Sequence, residues 1–193
     1  MTKSRMEAFS DGVIAIVITV MVLELSVPQG ASWRALGGVV PSLLTYVLSF
    51  VYLGIYWNNH HHLLQAVERI DGGVLWANMH LLFWLSLVPF VTAWMGENHF
   101  APAPTTAYGA VLLLAAMAYF VLQRRLIAAN GPDSRLRRAL GSDLKGRLSP
   151  VLYAVAIAGS LAGARWLADA LYVVVALLWL VPDRRIETSL VDR

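Results

Sequence analysis

The feature that most constrains this chain is a series of six apolar runs, each bounded by charged residues or by Gly and Pro. A helix needs about 20 residues to cross the ~30 Å hydrocarbon core of a bilayer, and most of the runs are close to that length. Apolar residues make up 58% of the 193 residues and charged residues 14%, whereas soluble domains have about 45–50% and about 25%. We therefore predict an all-α, polytopic membrane protein that forms a single six-helix transmembrane domain over residues 1–193. The predicted helices span approximately residues 4–27, 36–60, 74–95, 106–127, 148–164 and 166–182.

The basic residues are distributed unequally between the two sides of this predicted bundle. If the N-terminus is cytoplasmic, thirteen of them lie on the cytoplasmic side and only Arg34 and Arg165 lie outside. Cytoplasmic loops of membrane proteins carry such an excess of Lys and Arg. We therefore predict an even number of crossings in the cell membrane, with both termini in the cytoplasm. The thirteen residues are Lys3, Arg5, Arg69, Arg124, Arg125, Arg135, Arg137, Arg138, Lys145, Arg147, Arg184, Arg185 and Arg193.

The longest connecting segment runs from Gln123 to Arg147 and contains Asn130-Gly131-Pro132-Asp133, which predicts a helix break. No aromatic residue lies between Arg124 and Arg147, so nucleic-acid bases would have no stacking platform. Anionic lipid headgroups attract basic residues beside a membrane. We therefore predict the lipid bilayer, and not a nucleic acid, as the partner of this loop.

The first predicted helix contains a carboxylate, Asp11, next to its apolar run. Glu7 and Asp11 interrupt the basic N-terminal region, so we expect a retained helix and not a cleaved signal peptide. At about 100° per residue, a stripe about 60° wide contains Gly12, Ile16, Thr19 and Leu23, and Asp11 lies about 100° from its middle. A carboxylate inside a membrane is costly, so Asp11 is expected to face a neighbouring helix. From the spacing alone, the stripe fits either pore lining or packing against lipid and other helices.

The second and third predicted helices offer polar partners at the depth of Asp11. Trp57, His60, Asn78 and His80 lie in the same leaflet in the predicted topology. A carboxylate accepts hydrogen bonds from an indole, an imidazole or an amide. Two interpretations remain open: a buried polar cluster that holds the helices in register, or a proton relay through Asp11 and His60.

The sequence contains no recognisable catalytic or metal-binding motif. It has no Cys, no Gly-x-Ser-x-Gly elbow, no His-Glu-x-x-His pair and no Gly-rich phosphate loop. The run His60-His61-His62 cannot converge on one metal, because adjacent helical residues point about 100° apart. A membrane enzyme that used His60 or His61 as a base would need a nucleophile or a metal at the same depth. We therefore predict no enzymatic activity, no catalytic residues, no metal site and no cofactor.

The first helix also carries a family signature. Arg5-x-x-x-Phe9-Ser10-Asp11-Gly12, followed by Val13-Ile14-Ala15-Ile16 and Val22-Leu23-Glu24-Leu25, resembles the first-helix signature of the transmembrane protein 175 family of potassium channels. Further similar segments are Trp57-x-x-His60-His61 on the second helix and Asn78 with Ser86-Leu87-x-Pro89-Phe90 on the third. The resemblance covers the first half of the chain in its motifs and the second half in hydropathy, and six-helix chains of this kind resemble the prokaryotic branch of the family.

The resemblance implies a homotetramer whose first helices line a central pore, without the Thr-Val-Gly-Tyr-Gly filter, carried on a P-loop, of ordinary potassium channels. It assigns the narrowest apolar constriction to Ile16, a selectivity role to the hydroxyl of Thr19 and a further pore-facing layer to Leu23. The expected activity is passive, modestly potassium-selective conduction of monovalent cations, with potassium ions in the pore as the only bound species. A proton-coupled small-solute transporter is the alternative, and it would need ionisable residues along its pathway.

The resemblance further implies a polar network that holds the first helix in place. Its members would be Arg5, Asp11, Trp57 and His60, with Asn78 on the third helix. Arg5 lies about 120° around the helix from Asp11, so a direct bridge between them needs a long reach or a different subunit. The expected partners are therefore other copies of this chain, the bilayer and monovalent cations.

Overall fold

The computed structural model describes residues 2–131, 133–140 and 144–180. Within these ranges every regular element is a helix, which confirms the predicted all-α class. The nine helices of the described residues are α1 (Lys3–Leu23), α2 (Trp33–Gly37), α3 (Val40–Gln65), α4 (Gly72–Ser86), α5 (Val88–Glu97), α6 (Pro102–Asn130), α7 (Arg135–Leu140), α8 (Leu144–Leu161) and α9 (Arg165–Leu180). The predicted end of the last helix at residue 182, Pro132, and the basic residues Arg184, Arg185 and Arg193 lie outside the described residues.

Four segments of the described residues are long and apolar enough to cross a bilayer. They are α1, α3, the continuous segment Gly72–Glu97 formed by α4 and α5, and α6, with 21, 26, 26 and 29 residues. The helices α8 and α9 are shorter, with 18 and 16 residues, and are not among these four. The crossings by α8 and α9, which would bring the total to six, therefore stay predictions.

The third predicted helix, residues 74–95, is interrupted and consists of α4 and α5. Pro89 lies in the first turn of α5 and has no N–H for the helical hydrogen-bond ladder. At the break, the N–H of Leu87 donates to the carbonyl oxygen of Trp84 at 3.2 Å, a contact between residues three apart. At this break the spacing of the hydrogen bonds thus changes from four residues to three within one membrane-spanning segment.

The helices α1, α3, α6, α8 and α9 overlap the other five predicted helices, with ends that differ by up to about five residues. The short helices α2 and α7 have no predicted counterpart, and α7 lies within the segment predicted to be a loop. The helix α1 ends at Leu23 and not at residue 27, because Pro28 disfavours helical backbone in the residue before it. The helix α6 is longer than the predicted 106–127 and ends before Gly131, which has a φ of 92°. That positive φ is readily adopted by glycine, and the break occurs where the sequence predicts it.

The long helices run in alternating directions. At one end of the bundle, Lys3 Nζ donates to the carbonyl oxygen of Val67 at 2.9 Å, which places the start of α1 beside the end of α3. At the same end, Oδ1 of Asn130 accepts from the N–H groups of Glu68 and Arg69 at 3.0 and 2.9 Å. The end of α6 therefore also lies there. This is the end of the bundle that the sequence predicts to be cytoplasmic.

The second half of the chain packs on the first through buried hydroxyl groups. Tyr172 Oη on α9 donates to the carbonyl oxygen of Thr105 on α6 at 3.0 Å. A Cβ atom at Gly109 would overlap this tyrosine hydroxyl, so the contact requires glycine there. Tyr108 Oη on α6 in turn lies 3.0 Å from Ser49 Oγ on α3. These contacts fix α6 and α9 against the helix that follows α1 and α2.

Candidate functional site

The first helix has one buried face and one exposed face. Its buried face packs against α3, α4 and α5. The residues of this face are Met6, Ser10, Ile14, Val17 and Met21. On the opposite face, Ile16 is 63% exposed and Leu23 is 80% exposed. A helix that leaves large apolar side chains uncovered in one subunit has a face available for lipid, for another subunit or for a pathway.

The predicted stripe of Gly12, Ile16, Thr19 and Leu23 lies on this exposed face. A Cβ atom at Gly12 would have no neighbouring atom within 4 Å, so the space in front of it is open in the subunit. Thr19 Oγ1 donates to the carbonyl oxygen of Ile16 at 2.9 Å. Because the hydroxyl proton is used within the helix, the lone pairs of Thr19 Oγ1 remain available to accept from water or to coordinate a cation.

A buried chain of hydrogen bonds connects α1, α3 and α4 near the end of the bundle that is predicted to be cytoplasmic. Asn78 Nδ2 donates to Ser10 Oγ at 2.9 Å, and Ser10 Oγ donates to the carbonyl oxygen of Met6 at 2.8 Å. Asn78 Oδ1 lies 2.8 Å from His60 Nε2, and the acceptor character of that oxygen assigns the proton to Nε2. Ser10, His60 and Asn78 are each at most 1% exposed. Nδ1 of His60 is also buried but has no hydrogen-bond partner in the described part of the chain. The hydrogen bonds of this chain align three helices.

A second polar cluster lies closer to the surface. Trp57 Nε1 donates to Asp11 Oδ1 at 3.0 Å. The His61 ring stacks on the Trp57 ring with the ring centres 6.0 Å apart. His61 Nδ1 also lies 3.4 Å from Glu7 Oε1. The cluster of Glu7, Asp11, Trp57 and His61 thus holds α1 against α3 along the edge of the exposed face.

The structure therefore divides the predicted polar network. Asp11 contacts Trp57, whereas His60 pairs with Asn78, and His80 accepts from Trp84 within α4. The side chain of Arg5 is exposed and hydrogen-bonds no residue of the described part of the chain. Phe9 is likewise 47% exposed. Both signature residues thus point away from the core of the subunit.

Sequence reasoning missed the contact between Glu7 and His61, and it did not pair Ser10, which the family signature contains, with Asn78. Glu7 and His61 face each other across α1 and α3, and Ser10 is the link between α1 and Asn78. Glu7 lies four residues before Asp11, on the same side of the helix, and this spacing was a usable signal. No comparable signal pairs Ser10 with Asn78, because that contact joins two helices.

Two carboxylates mark the opposite end of α1. Glu24 and Glu97 line the same two surface pockets. Among the described residues, no three or more His, Cys, Asp or Glu side chains are grouped so that they could hold a metal ion.

The sequence and the fold are similar to those of known channels. Residues 5–89 match the family described as the endosomal/lysosomal potassium channel TMEM175. A potassium channel of Chryseobacterium sp. (strain P1-3) is 52% identical over 190 residues, which cover 98% of both chains. The chain belongs to the TMEM175 family. A potassium channel of Streptomyces collinus is 36% identical over 162 residues, which cover 72% of this chain and 77% of the relative.

A solved structure of the TMEM175 family has the same fold. It is the crystal structure of a lysosomal potassium-selective channel TMEM175 homolog from Chamaesiphon minutus, with a TM-score of 0.81 and 32% sequence identity. The match covers 94% of this chain and 97% of the homolog. The chain is therefore a multi-pass membrane protein with the TMEM175 channel fold, as the resemblance of its first helix predicts. Residues 5–89 of the family match include α1, α3, both polar clusters and the exposed face of α1.

Proposed function

We propose that this chain is a potassium channel whose pore is lined by α1. The observation that carries the proposal is the exposed face of α1, where Ile16 and Leu23 lie uncovered in a chain similar to proteins named potassium channels. No energy source is required, because the membrane potential and the concentration gradient drive the ions. Conduction is passive and modestly selective for potassium over sodium.

The pore forms between four copies of the chain. One helix of a single subunit cannot enclose a pathway, and the exposed face of α1 is completed when four such faces surround one axis. Each subunit contributes six crossings, with α8 and α9 as the fifth and sixth. The cluster of basic residues at one end of the bundle orients both termini to the cytoplasm of a cell membrane.

Ile16 forms the gate of this pore. A narrow ring of apolar side chains excludes water, and an ion blocked there would have to lose its hydration without replacement. A small outward movement of α1 widens the ring and admits water and ions. The cluster of Glu7, Asp11, Trp57 and His61, together with the buried chain from Ser10 to His60, sets the resting position of α1.

Thr19 contributes selectivity. Its hydroxyl donates to the carbonyl of Ile16, so its oxygen presents lone pairs that can replace part of the hydration shell of an ion. Potassium is dehydrated more easily than sodium, and a partial shell of hydroxyls therefore favours potassium. Leu23 forms a further apolar layer towards the outer mouth.

Potassium flux into liposomes tests this proposal. Ile16→Asn is expected to raise the flux about tenfold or more, which corresponds to a barrier lowered by about 1.4 kcal/mol. Thr19→Ala is expected to lower the potassium/sodium flux ratio about twofold, as the loss of a polar contact worth about 0.5 kcal/mol would. Val22→Asn is the matched control, because Val22 is 47% exposed on α1 but lies outside the stripe. If both stripe variants fold and leave flux and ion preference unchanged, α1 does not line the pore.

A further inference from the structure

A cavity far from the exposed face of α1 lies between α3, α6, α8 and α9. Its empty space is about 530 Å³, part of which is open to solvent, and twelve residues of these four helices line it. Its walls are mainly aromatic. The aromatic residues are Tyr52, Tyr56, Tyr119, Phe120, Tyr153 and Trp179. Such walls favour an apolar occupant.

One polar side chain of this cavity has no partner. Gln123 is 5% exposed and lines the cavity, yet no residue in the described part of the chain hydrogen-bonds its carboxamide. Other polar groups of the wall are paired: Trp179 Nε1 donates to Ser149 Oγ at 2.8 Å, and Asn59 Nδ2 donates to the carbonyl oxygen of Ile55 at 2.8 Å. The carboxamide is not among the fully buried side-chain groups that lack a partner, so its atoms stay open to the cavity and can hydrogen-bond an occupant.

Basic residues surround the end of the cavity that is predicted to be cytoplasmic. The guanidinium of Arg124 lies 4.9 Å from the centre of the Phe120 ring, which is part of the wall. Gly146, another wall residue, is flanked in the sequence by Lys145 and Arg147. The site therefore combines an apolar interior with a positively charged rim at the level of the membrane surface.

We propose that this cavity binds an anionic phospholipid of the cytoplasmic leaflet. One acyl chain lies between the aromatic residues, the phosphate is close to Arg124 and Arg147, and an ester carbonyl accepts a hydrogen bond from Gln123. Basic pockets between transmembrane helices on the cytoplasmic side are suited to such headgroups. The apolar interior explains why an inorganic anion alone would not fill the site.

The bound lipid would contact the helix that positions α1. Tyr56 and Asn59 face the cavity, while Trp57 and His60 on the same helical turns of α3 belong to the two polar clusters. A lipid in the cavity thus restrains α3 close to the contacts that hold α1. The binding itself is independent of the proposed conduction and is tested without it.

Native mass spectrometry of the full chain, with dioleoyl phosphatidylglycerol or phosphatidylcholine added, measures this binding. The wild type is expected to retain phosphatidylglycerol in preference to phosphatidylcholine. Ala116→Leu, which adds three carbons to the cavity wall, is expected to reduce bound phosphatidylglycerol about tenfold. Ala128→Leu on the exposed side of the same helix is the control and is expected to bind as the wild type does. Equal binding by both variants would overturn the proposal.

A charge variant tests the rim separately from the interior. Arg124→Gln is expected to reduce the preference for phosphatidylglycerol over phosphatidylcholine about fivefold, which corresponds to the contribution of one basic residue near an anionic lipid surface. Arg137→Gln, on the exposed part of α7, is the matched control. Glycerol phosphate at high concentration should not displace the lipid. Displacement by it, or an unchanged lipid preference in Arg124→Gln, contradicts a phospholipid site.

Discussion

Ile14 and Ile16 are identical residues two positions apart on α1, but they have opposite environments. Ile14 is 1% exposed and packs against neighbouring helices, whereas Ile16 is 63% exposed. Hydropathy does not distinguish them, because every apolar residue is compatible with lipid. The distinction comes from the polar residues: Ser10 shares the buried face with Ile14, and Thr19 lies on the exposed face with Ile16. The two polar residues differ in their partners: Ser10 accepts from Asn78 of another helix, whereas Thr19 donates to a carbonyl of α1 itself.

The largest expected effect is a difference between these two isoleucines. Ile14→Ala removes packed atoms from the core and is expected to destabilise the protein by about 2–5 kcal/mol. Ile16→Ala removes atoms that are mostly exposed in the subunit, so the unfolding temperature should change little while potassium flux rises. Thermal unfolding in detergent and liposome flux measure the two effects. Similar destabilisation by both variants would show that the exposed face is a packing surface and would remove the basis for the pore.

A smaller effect is expected where the buried face contains hydrogen bonds. Asn78→Leu leaves the N–H of His60 without an acceptor, and the cost of a buried unpaired group is about 1–3 kcal/mol. Trp57→Phe removes only the hydrogen bond to Asp11 at the half-exposed edge. Interhelical hydrogen bonds in membranes contribute about 0.6 kcal/mol on average, so a loss of stability of this size is expected. Chemical or thermal unfolding ranks the two variants, and size-exclusion chromatography shows whether the proposed tetramer still assembles. A reversed order would mean that the surface cluster, and not the buried chain, aligns α1.

The sequence predicts one part of this site well and another part poorly. The angular positions of Ile16, Thr19 and Leu23 follow from helical geometry alone, and the structure places all three on the exposed face. The partner of Asp11 does not follow, because four polar residues lie at the right depth and only packing selects Trp57. The pairing of Asn78 with Ser10 depends on how α4 crosses α1.

The same limit applies to the fold. Helix positions follow from hydropathy. The predicted third helix is continuous, and its break next to Pro89 is a finding of the structure that the chemistry of proline explains. The cavity beside Gln123 involves residues from four helices, which no periodicity of a single helix reveals. Spacing along the chain therefore predicts faces, whereas sites between helices require the packed structure.

The smallest expected effect concerns the outer end of α1, where Glu24 is exposed and shares two cavities with Glu97. If the exposed face continues into an outer mouth, Glu24 raises the local concentration of cations there. Glu24→Gln should then lower potassium flux by roughly 1.4- to fivefold, since an exposed charge contributes about 0.2–1 kcal/mol. The effect should disappear near 1 M salt, where the screening length is only about 3 Å.

The effect of Ile16→Asn, in contrast, should be the same at low salt and near 1 M salt, because removal of an apolar constriction does not depend on screening. A loss of flux in Glu24→Gln that persists at high salt would place Glu24 in direct contact with the ion, and the exposed face would then include the end of α1.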